Sequence, residues 1–73
     1  MSLVQVERER AGLTLSELAR RTGMHLSTLS KIENGKRKLS VNEVARIARA
    51  IGCAPSALIP DIAASEPVAV EGN

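Results

Sequence analysis

Two short amphipathic patterns joined through Gly23 are the most informative feature of the chain. Before Gly23, three apolar residues recur with the i, i+3, i+4 spacing of a buried helix face: Leu15, Leu18 and Ala19. After Gly23, Leu29 and Ile32 predict the buried face of a second helix over residues 26–34. The pattern therefore predicts two helices separated by a tight turn.

The second of these helices has two different faces. At about 100° per residue, Ser27, Lys31 and Asn34 lie opposite the apolar pair Leu29 and Ile32. The helix thus has an apolar back and a small, polar, cationic front. Two helices joined by a glycine-containing turn, the second with such a front, predict a helix-turn-helix whose second helix enters the DNA major groove.

Further helices are predicted on both sides of this pair. Residues 3–11 read as a first helix that ends at Gly12. Residues 41–51 carry the clearest amphipathic repeat of the chain. Pro55 suits the first position of a fifth, short helix over residues 55–59. Capping boxes are expected where a hydroxyl residue precedes a glutamate by three positions: Thr14 with Glu17, and Ser40 with Glu43.

Length and composition narrow the class of protein. A chain of 73 residues makes one domain at most, and it has no Phe, Tyr or Trp. The lack of aromatic rings argues against a single-stranded nucleic acid as ligand, because such ligands usually stack on rings. The single Cys53 excludes an internal disulfide and a multi-cysteine metal site. No apolar run predicts a membrane span or a signal peptide, so we expect a cytoplasmic protein.

The charge is unevenly distributed along the chain. Residues 1–60 carry all ten Lys and Arg with five acidic residues, a net charge of +5. Residues 61–73 carry three acidic residues and no base, a net charge of −3. The net positive charge of residues 1–60 indicates a polyanionic partner. The acidic segment 61–73 lacks an apolar pattern long enough to fold alone.

Several short motifs occur together in register: Gly-Leu-Thr at 12–14, Glu-Leu-Ala at 17–19, Gly23, Ser-Lys-Ile-Glu-Asn-Gly at 30–35, and Ala-Ile-Gly at 50–52. With them the chain resembles the Cro/CI-type, or XRE, family of helix-turn-helix DNA-binding regulators. The resemblance covers about residues 4–59. It implies an all-α, compact, five-helix, lambda-repressor-like domain over residues 3–60. For residues 61–73, which lack a buried pattern, we expect a flexible, disordered acidic tail.

The resemblance also implies what the protein does. We expect a sequence-specific transcriptional regulator, a repressor, that binds double-stranded DNA in the cytoplasm, associated with the nucleoid. We expect a homodimer on a near-palindromic operator with half-sites one helical turn (~34 Å) apart. No cofactor, metal, catalytic residue or membrane partner is expected.

Three residues of the second helix are candidates for base contacts. Lys31 can donate to O6 and N7 of guanine, and Ser27 can donate or accept a hydrogen bond. Leu26 departs from the polar residue common at this place in the family. It either meets a thymine methyl group or covers the edge of the core, and the sequence favours neither.

Phosphate contacts are expected from residues around this helix. Lys36, Arg37 and Lys38 follow it directly and are well placed to neutralise phosphates, although a charge run is usually only a solvated surface. The resemblance adds further candidates at the helix ends and flanks: Leu15, Ser16, Thr28, Ser30 and Asn34. It also implies a structural ion pair between Arg8 and Glu33. We prefer the pair to two solvated charges, because Glu33 flanks an apolar face and would be costly to bury alone.

Other functions remain open on sequence alone. A restriction–modification controller or an antitoxin has the same fold, and a neighbouring methyltransferase or toxin gene would distinguish them. A protein-interaction module that has lost DNA binding gains some support from Leu15 and Leu26, two apolar residues where the family often contacts DNA. An enzyme is not expected, because no paired carboxylates, cysteine–histidine pair or phosphate-binding glycine loop is evident.

Overall fold

The chain folds into four α-helices and one short 3-10 turn over residues 2–60, the part that the computed structural model describes. The helices are α1 (Leu3–Arg10), α2 (Leu15–Thr22), α3 (Leu26–Glu33) and α4 (Val41–Ile51), and the 3-10 turn is Pro55–Ala57. This part of the chain contains no strand, which confirms the all-α class. The predicted flexible tail at 61–73 lies outside the described residues.

The fifth, short helix predicted over residues 55–59 is a 3-10 helix over Pro55–Ala57. The backbone N–H groups of Ala57 and Leu58 donate to the carbonyls three residues earlier, on Ala54 and Pro55, at 2.9 Å each. Bonds of this i to i+3 spacing wind the chain into a tighter 3-10 turn. The described residues therefore contain four α-helices, with this 3-10 helix in the place of the predicted fifth helix.

Local side-chain bonds fix where the helices begin. At α2, the hydroxyl of Thr14 accepts from the Glu17 N–H at 3.0 Å, and the Glu17 carboxylate accepts from the Thr14 N–H at 2.8 Å. At α4, Ser40 and Glu43 make the same reciprocal pair at 3.1 and 3.0 Å. Both predicted capping boxes are confirmed, and each gives a partner to two backbone N–H groups at the start of the helix that have none within the helix.

The turn between α2 and α3 depends on Gly23 and on the buried residue before it. Gly23 has a φ of +74°, a left-handed conformation that residues with a Cβ resist. Thr22 is buried, and its hydroxyl donates to the Leu18 carbonyl at 2.8 Å and accepts from the Met24 N–H at 3.2 Å. This hydroxyl ties the end of α2 to the start of the turn and so sets the direction in which α3 departs.

The core lies where α2, α3 and α4 meet, with α1 packed across α3 and α4. Its fully buried side chains come from all four α-helices, from the loop between α3 and α4, and from the residue that follows the 3-10 turn. They are Val4, Leu18, Leu29, Leu39, Ile47 and Leu58. Met24 is also buried and packs inward from the turn. Because α2 and α1 pack against the back of α3, its opposite side is left as surface.

Candidate nucleic-acid interface

Helix α3 presents the two faces that its sequence predicts. Leu29, Ile32 and Glu33 are buried against the rest of the domain. Ser27 and Lys31 are exposed on the other side. The helix is therefore anchored by its apolar residues and offers a polar, cationic surface of its own.

The beginning of α3 is open to solvent. Leu26 is 47% exposed and is not among the residues packed against the core. His25 occupies the N-cap position, is exposed, and makes no side-chain hydrogen bond to the helix. Both interpretations of Leu26, a contact with a thymine methyl group and a cover for the edge of the core, stay predictions. At the first residue of α3, Leu26 exposes about half of its apolar side chain to solvent.

The candidate phosphate-binding residues lie at the start of α2, on α3 and at its C-terminal end, and in the loop that follows. Ser16 and Asn34 are exposed, whereas Thr28 and Ser30 are half-buried beside the exposed face. The Asn34 side-chain amide donates to the Ser30 hydroxyl at 3.4 Å. Leu15 is half-buried and packs against the core, so its side chain serves the fold and its backbone N–H lies at the start of α2.

An ion pair fixes α1 to α3 behind this surface. Arg8 Nε donates to Glu33 Oε2 at 2.7 Å, and Arg8 Nη2 donates to Glu33 Oε1 at 3.1 Å. A third donor, Arg8 Nη1, bonds the Leu13 carbonyl at 2.8 Å. Hydrogen bonding to Glu33 raises the pKa of Arg8 above its usual range, against the opposing effect of burial. This is the pair that the family resemblance implies.

The cationic residues after α3 differ in their surroundings. Lys36, Arg37 and Lys38 are all exposed. Arg37 is held by Glu43 of α4, through an Nη2–Oε2 distance of 2.8 Å. Within residues 2–60, no ion pair engages Lys31, Lys36 or Lys38. On α3 and in the loop that follows it, these three lysines are therefore cations that remain available to an external anion.

Cys53 packs against the core from the turn after α4 and is half-buried. Burial, together with the nearby Glu7 carboxylate, raises the pKa of its thiol. The described residues contain no group of three or more His, Cys, Asp and Glu side chains arranged to hold a metal ion. None of the helices in this part of the chain has the length and apolar character needed to cross a bilayer.

A family model described as helix-turn-helix matches residues 5–58 of the chain. The match spans most of the chain, and the chain belongs to this family, in its XRE or Cro/CI type. It is a DNA-binding regulator of that class. No curated protein and no solved structure matches the chain significantly.

Sequence reasoning missed two contacts that shape this surface. The hydroxyl of Thr22 was not expected in the turn, although a threonine directly before a glycine at a helix end is a signal of a side chain that bonds its own backbone. The Arg37–Glu43 pair was also not expected, because its partners are six residues apart across a loop of irregular path. Helical spacing rules do not reach across such a loop.

Proposed function

We propose that the protein is a sequence-specific repressor that binds double-stranded DNA as a homodimer and inserts α3 into the major groove. The observation that carries this proposal is that α3 has one buried face and one exposed face. Leu29 and Ile32 are buried, and Ser27 and Lys31 are exposed. A helix fits the width of the major groove, where each base pair presents a distinct set of donors and acceptors.

In this proposal three side chains read base edges. Lys31 donates to a guanine and Ser27 bonds a neighbouring base. Leu26 contacts a thymine methyl group, and its 47% exposure at the tip of α3 supports that role.

The phosphate contacts come from both helices of the motif and from the loop after α3. Leu15 and Ser16 contribute through backbone N–H groups at the start of α2, where a helix leaves donors free. Further candidates are the polar and cationic residues that surround the exposed face of α3: Thr28, Ser30, Asn34, Lys36, Arg37 and Lys38. Contacts of this kind set the register of the protein on the duplex without reading its sequence.

The homodimer is proposed to form through an apolar groove between α4 and the 3-10 turn. The groove has a volume of about 360 Å³ and is lined by Val41, Val44, Ala45, Pro55 and Ile59. Val41 is 73% exposed and Ile59 is 51% exposed, so each copy offers both protruding side chains and a groove for a two-fold partner. Burying these apolar groups would also add to the stability of a small domain. Two copies so joined would match a near-palindromic operator.

Residues 3–60 form the DNA-binding unit in this proposal, and residues 61–73 are an acidic extension that follows it. Since the ligand is genomic DNA, the protein acts in the cytoplasm, at the nucleoid. It represses by occupying its operator.

Selection of binding sites from a random pool of DNA duplexes tests the proposal. We expect a consensus of two inverted half-sites with centres one helical turn apart, and affinity that falls steeply with salt. A protein-interaction module is the second candidate, and the exposed Leu26 favours it. That module would select no duplex, and its apolar contact with a partner protein would respond little to salt.

A further inference from the structure

A bidentate ion pair between Arg37 and Glu43 closes the loop between α3 and α4. Arg37 Nη1 donates to Glu43 Oε1 at 2.9 Å, and Arg37 Nη2 lies 2.8 Å from Glu43 Oε2. Parallel contacts between a guanidinium group and a carboxylate are the strongest form of side-chain ion pair. Two of the donors that Arg37 would offer a phosphate are therefore already bonded inside the protein.

The same carboxylate holds the other end of the loop. Oε1 of Glu43 also accepts the Ser40 N–H at 3.0 Å, as part of the capping box of α4. Between the two bonded residues, the side chain of Leu39 is buried in the core. Glu43 and Leu39 together fix residues 37–40 against the start of α4.

The beginning of the loop is fixed to α3 instead. The Lys36 N–H donates to the Lys31 carbonyl at 2.8 Å, and the Gly35 N–H donates to the Ile32 carbonyl at 3.1 Å. Lys36 thus leaves the end of α3 from a defined backbone position, and Lys38 lies between the held Arg37 and the buried Leu39. Both lysine side chains are exposed on a loop that is bonded at its two ends.

We propose that Arg37 is a positioning residue that Glu43 withholds from DNA, and that Lys36 and Lys38 are the loop cations that neutralise phosphates. This inference rests on the proposed DNA binding. It divides the three neighbouring cations into two phosphate ligands and one supporting residue, and it removes Arg37 from the phosphate contacts proposed above because Glu43 already binds it. An arginine that turned to a phosphate would give up two charge-assisted bonds to Glu43 and would leave that carboxylate beside the DNA, so the exchange gains little.

The salt dependence of DNA binding separates these roles. Log K for DNA binding falls linearly with log salt concentration, and we use "slope" for the absolute value of this decrease. Each cation that contacts a phosphate contributes about 0.9 to the slope. A cation that only shapes the loop contributes to affinity but not to this slope. The full chain and a duplex of about 20 base pairs with random sequence serve as the probe, since phosphate contacts do not need the operator.

We expect Lys36→Ala and Lys38→Ala each to reduce the slope by about 0.9. Arg37→Ala should lower affinity about two- to fivefold at every salt concentration, as for the loss of an exposed ion pair, with the slope kept. Arg46→Ala, which removes an exposed cation from α4, is the matched control for loss of one charge and should also keep the slope. Glu43→Gln retains a side chain that can cap α4 and releases Arg37, so its slope should increase by about 0.9.

A second measurement needs no DNA. Amide hydrogen exchange at residues 37–40 should quicken in Arg37→Ala and in Glu43→Gln, with no further change in the double variant, and should be unaltered in Arg46→Ala.

The inference is overturned if Arg37→Ala reduces the slope as much as Lys36→Ala does, or if neither lysine variant changes it. It is also overturned if exchange in the loop is the same in all variants. In these cases DNA binding itself persists, so the proposed function stands. If the unaltered protein binds no duplex even at low salt, the proposed function fails, and the assignment of the two lysines fails with it.

Discussion

Arg8 and Glu33 lie 25 residues apart in sequence and meet with an Nε–Oε2 distance of 2.7 Å. Their side chains are only 12% and 7% exposed. Because Arg8 also bonds the Leu13 carbonyl, one guanidinium group connects α1, the loop that follows it, and α3. The orientation of α3, which we propose enters the major groove, is therefore tied to a helix that carries none of the predicted DNA contacts.

Breaking this pair should be strongly destabilising. Arg8→Ala leaves the buried carboxylate of Glu33 without its partner, and we expect the free energy of unfolding to fall by about 3 kcal/mol. Arg10→Ala is a matched control on the same helix, because Arg10 is 72% exposed and lies 3.6 Å from Glu7. It should cost less than about 1 kcal/mol. Urea denaturation measures both changes, and equal losses would contradict the role given to Arg8.

Acid should weaken the start of α4. Hydrogen bonding by Arg37 lowers the pKa of Glu43 below its ordinary value of 4.5. A carboxylate whose pKa is lower in the folded than in the unfolded state stabilises the fold above its unfolded pKa. That contribution is lost as the pH falls through the folded value.

Urea denaturation at a series of pH values between 7 and about 3 tests this expectation. The unaltered protein should lose stability as the pH falls below 4.5. The curve of Glu43→Gln should begin lower at neutral pH, fall less, and approach the first curve in acid. Two parallel curves would show that Glu43 contributes nothing to the acid dependence.

The thymine-methyl role of Leu26 can be tested on the DNA side. Uracil is thymine without the 5-methyl group, so single replacements along the selected site remove one methyl at a time. At one position in each half-site, we expect the replacement to weaken binding by about 0.8 kcal/mol, the free energy of burying one apolar carbon group. This corresponds to a roughly fourfold loss of affinity. In Leu26→Ala the same replacement should have much less effect, which a double-mutant cycle measures. Equal losses in both proteins would remove Leu26 from base recognition.

Self-association should depend on the groove between α4 and the 3-10 turn. Replacing Val41 and Ile59 together with serine removes the two protruding apolar side chains at its border. Sedimentation equilibrium should then show a monomer at concentrations where we expect the unaltered chain to be a dimer. Leu26→Ser removes an apolar side chain of comparable exposure on another surface and should leave the dimer intact. Dimerisation that survives the double replacement would place the interface elsewhere.

Much of the fold could be predicted because its determinants are local. The capping boxes of Thr14 and Ser40 span four residues each, and the buried face of α4 follows from a regular repeat. The 3-10 turn at Pro55 could not be distinguished from a short α-helix, since the two differ only in whether a bond spans three or four residues. A segment of three residues is too short for its hydrophobic pattern to show which of the two helix types is present.

The candidate site was less predictable than the fold. Which face of α3 is exposed follows from spacing, but the exposure of Leu26 depends on how far the turn carries the tip of the helix from the core. The partner of Arg37 depends on the path of the loop after Gly35, which the sequence does not specify by any regular repeat. Contacts made across irregular backbone require the three-dimensional structure.

The central claim is that the exposed face of α3 reads base pairs, and Lys31 tests it most directly. The measurement compares the affinities of the unaltered protein and of Lys31→Ala for the selected operator and for a set with every base pair changed singly. We predict that Lys31→Ala loses discrimination at one position in each half-site, by about 1–3 kcal/mol, while discrimination elsewhere is kept. Relative affinities across the set that are identical for the two proteins would contradict the account.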